Sequence, residues 1–221
     1  MQPISKFDSV TTIIWDWNGT LFDDTDICIE SINNLLIERG LERIDRKRYL
    51  EVFDFPVRDY YQRIGFDFDK EPFEIPALKF IDNYFAKVQQ ASLHNGALNV
   101  LSHFQKVGFK QVVLSAAEHN KLVDLLSHFG ISNFFDQVQG LDHDYATSKV
   151  ELGQQMLANL DVEPENACLI GDTLHDYEVA CSLGCRCILI ANGHHPAQKL
   201  KTSGVPVLTQ IDELCDFFVS A

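Results

Sequence analysis

Apolar positions along the chain follow two alternating rhythms. Short runs, too brief for helices and rich in β-branched residues, occur as "TTIIWDW", "KQVVLS", "NACLIGD" and "RCILIANG". The first reaches Asp16 before the turn signal "NGT", the second stops at Ser115, the third at Asp172, and the fourth is followed by Gly193. Each is read as a buried strand. Between them the period becomes helical. In "NKLVDLLSHFG", Leu122, Leu125, Leu126 and Phe129 share one face before a Gly130 stop, and "SKVELGQQMLANL" and "LHDYEVACSLG" read likewise. Strands alternating with helices predict an α/β, Rossmann-like parallel sheet with right-handed crossovers. Ligands of such sheets gather at the carboxyl ends of the strands, where Asp16, Ser115 and Asp172 are placed.

From about Asp23 to Ser92 the alternation breaks and helical patterns follow one another. They are "TDICIESINNLLIERG", "RKRYLEVF", "VRDYYQRIG" after Pro56, and "ALKFIDNYFAKVQQ" after Pro76. The predicted organisation is a core of residues 1–22 and 93–221 with an inserted α-helical cap of residues 23–92. A cap entering just after the first strand would lie over the strand tips. No internal repeat or low-complexity tract interrupts either part.

The chain has 221 residues, 46% of them hydrophobic, enough for a substantial core. A net charge of -14 argues against a surface that tracks nucleic-acid phosphates, which needs basic clusters. No apolar run approaches the roughly 20 residues of a membrane span. The stretch "MQPISKFDSV" lacks the charged and apolar regions of a signal peptide, so the expected location is the cytoplasm. The cysteines at 28, 168, 181, 185, 187 and 215 are then expected to be buried, reduced thiols. A metal site on Cys181, Cys185 and Cys187 lacks paired spacing and a histidine partner.

A carboxylate at a strand tip, followed by a glycine turn whose N–H groups face the same space, suits attack on a phosphoryl group. Asp16 would be the nucleophile. Bringing a carboxylate to a phosphate needs a cation, and Mg²⁺ takes hard oxygen ligands such as Asp172 and Asp176 of "GDTLHD". Ser115 would donate a hydrogen bond to the transferring group and Lys149 would offset its charge.

"DWNGT", the serine closing "VVLS", the lysine of "ATSKVELGQQM" and "GDTLHD" resemble, in order, the four motifs of the haloacid dehalogenase superfamily. The likeness runs from about Ile13 to Leu214 and is greatest to phosphoglycolate phosphatase-like members with a helical cap. The resemblance implies a phosphatase acting on a small phosphorylated metabolite through an aspartyl-phosphate. It assigns Asp16 as nucleophile and Mg²⁺ ligand, the Asn18 carbonyl and Asp172 as further ligands, and Asp176 as a partner of the metal shell. Ser115 and Lys149 match the phosphate binders, and Thr20 and Ala116 are further candidates to bind substrate. Position 18 departs from the pattern: relatives usually carry an aspartate that protonates the leaving group and later activates water. An amide does neither. Losing such help costs roughly 10² to 10⁴ in rate. The departure keeps open altered chemistry, such as phosphotransfer or cleavage of another bond, and a weakly catalytic phosphate-compound binder.

Other residues have plainer readings. Asp23 and Asp24 could stand in for the missing acid, but a helix cap or a solvated acid is the simpler expectation. His175 reads as a residue at the edge of the site. His194 and His195, being adjacent, are poorly arranged to hold one ion. In "FDFPVRDYYQRIGFD", Arg58, Tyr60 or Arg63 are candidates to touch an anionic substrate, against a reading as ordinary helix decoration. Oligomeric state leaves no mark in the sequence.

Overall fold

The structure, a computed structural model, describes residues 7–141 and 148–219, so most of the stretch read for a signal peptide lies outside it. Strand β1 (Thr12–Trp15) is the hub. Its residues are wholly buried, and the period of two sends them into separate cores. Ile13 and Trp15 join the cluster that includes Leu101, Phe104, Leu122 and Leu126. Ile14 joins Leu152, Met156, Val179 and Leu183 on the other side. Burying each such side chain contributes about 1.5–3 kcal/mol before entropy is subtracted. The Trp15 indole N–H donates to Gln111 Oε1 at 3.1 Å, and Gln111 Nε2 donates to the Leu101 carbonyl at 2.9 Å, so these two buried side chains satisfy each other and the backbone.

β2 (Phe22–Asp23) and β3 (Ser92–Leu93) form a small antiparallel pair, while β4 (Lys110–Glu118), β5 (Gln137–Leu141), β6 (Ala167–Gly171), β7 (Arg186–Ile190) and β8 (Val207–Leu208) build the main sheet with β1. Its order is β5-β4-β1-β6-β7-β8, and its pairings are parallel. β1 therefore lies between β4 and β6, and the chain leaves it toward opposite sides of the sheet. That switch in direction opens a crevice at the carboxyl ends.

Helices α1 (Thr25–Glu38), α2 (Arg46–Val52), α3 (Val57–Arg63) and α4 (Glu74–Phe85) occupy the stretch between β2 and β3. α5 (Ala97–Val107), α6 (His119–His128), α7 (Lys149–Asn159) and α8 (Leu174–Leu183) alternate with the strands. α7 and α8 begin with reciprocal capping boxes, Ser148 with Glu151 and Thr173 with Asp176, which fix where each helix starts.

Three expectations need correction. β4 does not stop at Ser115 but runs to Glu118, with its register against β5 shifting between Leu114 and Glu118. Ser115 lies within that irregularity, and such bulges re-aim side chains. α4 begins at Glu74, with Pro76 inside its first turn, where a missing N–H costs nothing. The cysteines are free, but only Cys28, Cys168 and Cys187 are buried; Cys181 is exposed. Among the described residues, no helix is long and apolar enough to cross a membrane.

Candidate active site

β1 ends one residue before Asp16 and β6 one residue before Asp172, so adjacent strands deliver two carboxylates side by side. α8 supplies Asp176 and the start of α7 supplies Lys149. The Lys149 ammonium donates to Asp16 Oδ1 at 2.6 Å and to Asp176 Oδ1 at 2.7 Å. The Thr20 hydroxyl lies 3.0 Å from Asp172 Oδ1 and 3.3 Å from Asp16 Oδ2. Asp176 also accepts from the Thr173 N–H and hydroxyl, at 3.1 and 2.7 Å. The cap of a helix and the floor of the site are thus one hydrogen-bonded unit.

The charges do not balance. Burial, followed by the charge of Asp176, pushes Asp16 up to about 6 despite Lys149. Asp172 is pushed up to about 8, again by burial first, with His194 opposing and the charges of Asp16 and Asp176 adding to the rise. Burial also works against ionised Asp176, but Lys149 and Thr173 outweigh it and hold that carboxyl below its usual range. Lys149 is disfavoured by burial yet held firmly protonated by Asp16 and Asp176. One oxygen from each of Asp16, Asp172 and Asp176 can lie within 4.8 Å of the others. Three buried carboxylates, of which Lys149 bridges two, form a donor set suited to a hard divalent cation.

Glycine makes this closeness possible. Gly19 has φ +75, and a Cβ there would overlap the Asp172 carboxylate. A Cβ on Gly193 would strike the same carboxylate and the Gly19 carbonyl. The His194 N–H, one residue on, donates to Asp172 Oδ2 at 2.6 Å.

Beside this cluster, Asn18 Nδ2 donates to Asp24 Oδ2 at 2.7 Å and lies 2.8 Å from the Tyr84 oxygen. Tyr84 donates to the same Asp24 oxygen at 2.8 Å, and the Gly19 N–H donates to Oδ1 at 3.0 Å. His194 Nε2 is 3.3 Å from Asp24 Oδ1 and its Nδ1 is 2.9 Å from the Tyr49 hydroxyl. Burial opposes charge on Asp24, but His194, Asn18 and Tyr84 prevail and lower it. Burial likewise disfavours the imidazolium of His194, yet Asp24, Asp172 and Asp16 lift it to about 9. Asp24 is therefore neither solvated nor a capping side chain: it holds the N-cap position of α1 without making a cap hydrogen bond and is 1% exposed. Asp24, Cys28 and His194 also bring ligand atoms within 4.8 Å, but Asp24 and His194 are already engaged.

Above the carboxylates lies a cavity of about 270 Å³, lined by Asp16, Asn18, Ser115, Ala116, Lys149, Asp172 and Asp176 among others. Most of the site residues singled out in the sequence thus meet in one place. Thr20 stands behind the carboxylates rather than on the cavity wall. Arg58 is exposed, its guanidinium 4.9 Å from the Phe68 ring centre, and Arg63 turns to the Val52 carbonyl at 3.3 Å. Neither arginine lines the cavity, whereas Tyr60 does. Tyr49 and Tyr84 escape sequence reading, and His194, weighed there only as a metal ligand, sits instead between Asp24 and Tyr49; its position just beyond β7 and Gly193, at another strand tip, is a usable signal.

The family model for haloacid dehalogenase-like hydrolases matches residues 13–190. The chain belongs to this family. It is 28% identical over 193 residues to a phosphoglycolate phosphatase of Caulobacter vibrioides, covering 83% of this chain and 80% of that protein. It is 25% identical over 215 residues to the tyrosine-protein kinase PtkA of Mycobacterium tuberculosis, covering 95% and 73%. A haloacid dehalogenase-like family protein from Streptococcus pneumoniae superposes with a TM-score of 0.84 at 21% identity, over 95% of this chain and 99% of that one. With 95% of the chain covered, most of the helices between β2 and β3 belong to the part that superposes.

Proposed function

We propose that the chain is a Mg²⁺-dependent phosphatase that hydrolyses a small phosphorylated metabolite through an aspartyl-phosphate on Asp16. The observation that carries this reading is Asp16 itself. It is a carboxylate 7% exposed at a strand tip, bridged to Lys149 and grouped with Asp172 and Asp176 beneath a cavity.

Asp16, Asp172, Asp176 and the Asn18 carbonyl would hold the cation, which would offset the repulsion between carboxylates and substrate. Asp16 attacks phosphorus as the ionised carboxylate, so the first step needs no base. Lys149 keeps Asp16 deprotonated and faces the transferring charge, and Ser115 donates to a phosphoryl oxygen. Residues 23–92 act as the cap, excluding water from the aspartyl-phosphate until the leaving group has gone. Water then releases inorganic phosphate. The free cysteines suit a reducing, cytoplasmic setting.

A second reading, transfer of phosphate to an acceptor other than water, is favoured by one observation: Asn18, held by Asp24 and Tyr84, cannot take a proton from attacking water. Both readings keep Asp16 as the group phosphorylated.

The test is release of inorganic phosphate from a panel of phosphorylated metabolites, with and without Mg²⁺, using Asp16→Asn as control. Turnover that requires Mg²⁺ and Asp16 supports the proposal. Undiminished hydrolysis in excess chelator, or by Asp16→Asn, overturns it.

A further inference from the structure

Much of the cavity wall is aromatic. Tyr49 and Phe53 come from the end of α2, Tyr60 from α3, and Phe80, Tyr84 and Phe85 from α4. Among the described residues, no arginine lines the cavity, and its lysine, Lys149, is already bridged to Asp16 and Asp176. A leaving group bearing a carboxylate would meet rings and an acidic floor, because Lys149 and the His194 imidazolium are already paired with carboxylates. An apolar ring would displace water from those faces.

A second, independent observation concerns the proton. An alkoxide leaves poorly unless it is protonated as its bond to phosphorus breaks, and position 18 holds an amide. The neighbouring acid cannot substitute. Asp24 already accepts from Asn18, Tyr84 and the Gly19 N–H, so it holds no proton to give. His194 is tied to Asp24 and Tyr49 through both ring nitrogens. A phenoxide needs no such help.

We propose that the substrate of this site is an aryl phosphate, a ring seated against the cap aromatics with its phosphate on Asp16. The proposal rests on Asp16 being the nucleophile and adds the class of leaving group. In the step, an Asp16 carboxylate oxygen forms the new bond to phosphorus. The bond from phosphorus to the phenolic oxygen breaks, and that oxygen keeps the electron pair as phenoxide, taking a proton from solvent after release. The amide at 18 and the aromatic wall then serve one chemistry.

Three probes separate ring fit from leaving-group chemistry: phenyl phosphate, cyclohexyl phosphate and phosphoglycolate, each assayed with Mg²⁺. Expected kcat/KM falls by roughly 10²-fold or more from phenyl to cyclohexyl, for want of a proton donor. It falls roughly tenfold further to phosphoglycolate, for want of apolar contact and a cation. Phe85→Ala should lower kcat/KM for phenyl phosphate more than for acetyl phosphate. In parallel, calorimetry on Asp16→Asn with Mg²⁺ should show phenyl phosphate binding more tightly than phosphoglycolate.

Turnover that favours phosphoglycolate overturns the aryl assignment and leaves the phosphatase reading intact. Tight, selective binding of phenyl phosphate with no turnover of any probe by the unaltered enzyme supports the aryl site and overturns the phosphatase reading. Brisk cyclohexyl phosphate turnover that collapses in His175→Gln would reveal a leaving-group acid among the cavity residues and overturn the proposal.

Discussion

Asn18 Nδ2 donates to Asp24 Oδ2 at 2.7 Å, so the amide is held by a buried carboxylate six residues later in the chain. Tyr84, from α4, closes a triangle with both, at 2.8 Å to each. This network gives the amide a definite role. It donates to an ionised Asp24, which also accepts from the Gly19 N–H, so the turn Asn18–Thr20 is held in place. The same bonds tie α4 to the turn after β1, so the helices between β2 and β3 are coupled to the place where, in the proposed reaction, the leaving group departs.

Gly193→Ala is expected to damage activity and to cost stability as well. The added Cβ would overlap the Asp172 carboxylate and the Gly19 carbonyl, forcing both aside. Displacing a catalytic group by about 1 Å costs on the order of 10²-fold in kcat/KM. Gly40→Ala is the comparison: φ is +66 there but nothing lies within 4 Å, so it should cost about 1–2 kcal/mol of stability with activity kept. Steady-state kinetics and thermal melts of both variants check this, and equal kinetic losses would refute it.

Much of this arrangement is legible in the sequence because the signals are local. The strand read in "TTIIWDW" reaches Asp16 and that in "NACLIGD" reaches Asp172, and parallel pairing of β1 with β6 brings those ends together. The lysine and Asp176 sit at helix starts marked by capping residues, Ser148 and Thr173. The unread part depends on distant packing. Tyr84 reaches Asp24 across 60 residues and Tyr49 reaches His194 across 145, and no period or cap encodes such meetings. β4 overran its predicted end for a similar reason: the strand continues because β5 pairs with Glu118, a partner that Ser115 gives no hint of.

Arg58 illustrates a cation placed by sequence in the site and by structure on the surface. Its guanidinium lies 4.9 Å from the Phe68 ring centre and 5.9 Å from that of Phe73. Arg58→Ala should cost about 0.5–1 kcal/mol of stability, the worth of an exposed cation–π contact. KM for any phosphorylated substrate should stay within about twofold. A larger rise in KM, selective for anionic leaving groups, would return Arg58 to the site.

His195 provides a stability dependence on pH. It is wholly buried, and burial, followed by the charge of Lys199, lowers its pKa from 6.5 to about 4. Below 6.5 the unfolded chain binds a proton that the folded chain refuses until about 4. The stabilisation is therefore complete above 6.5 and is lost as pH falls toward 4. Between about pH 7 and pH 4.5 the loss is on the order of 2 kcal/mol. Carboxylates add their own acid sensitivity, so the informative quantity is the difference between wild type and His195→Gln in denaturant unfolding at the two pH values. The variant should lose less stability on acidification. An identical loss would mean that His195 takes up its proton in the folded state as readily as in the unfolded one.

The sharpest prediction exchanges the two partners of the opening contact. Asn18→Asp alone would set a second carboxylate about 2.7 Å from Asp24 Oδ2, and two ionised acids cannot share that space. The new side chain must swing away or hold a proton shared with Asp24, and Tyr84 can donate to only one of them at a time. The single variant is thus expected to gain little turnover and to lose stability. Adding Asp24→Asn removes the conflict. The amide then lies at 24, where it can donate to a carboxylate at 18, and the acid stands beside Asp16. Turnover of alkyl phosphates by the double variant should exceed wild type by up to roughly 10²-fold, while aryl phosphates, which need no leaving-group proton, should gain less. His194 sets a constraint on the exchange, because its Nε2 faces Asp24 Oδ1 at 3.3 Å and loses a charged partner in the double variant. Its backbone N–H still holds Asp172, so the carboxylate cluster should survive the change. Rates for alkyl and aryl substrates, measured across wild type, both single variants and the double variant, give the coupling between positions 18 and 24 directly. Additive effects, or an aryl gain equal to the alkyl gain, would show that Asn18 does not limit departure of the leaving group.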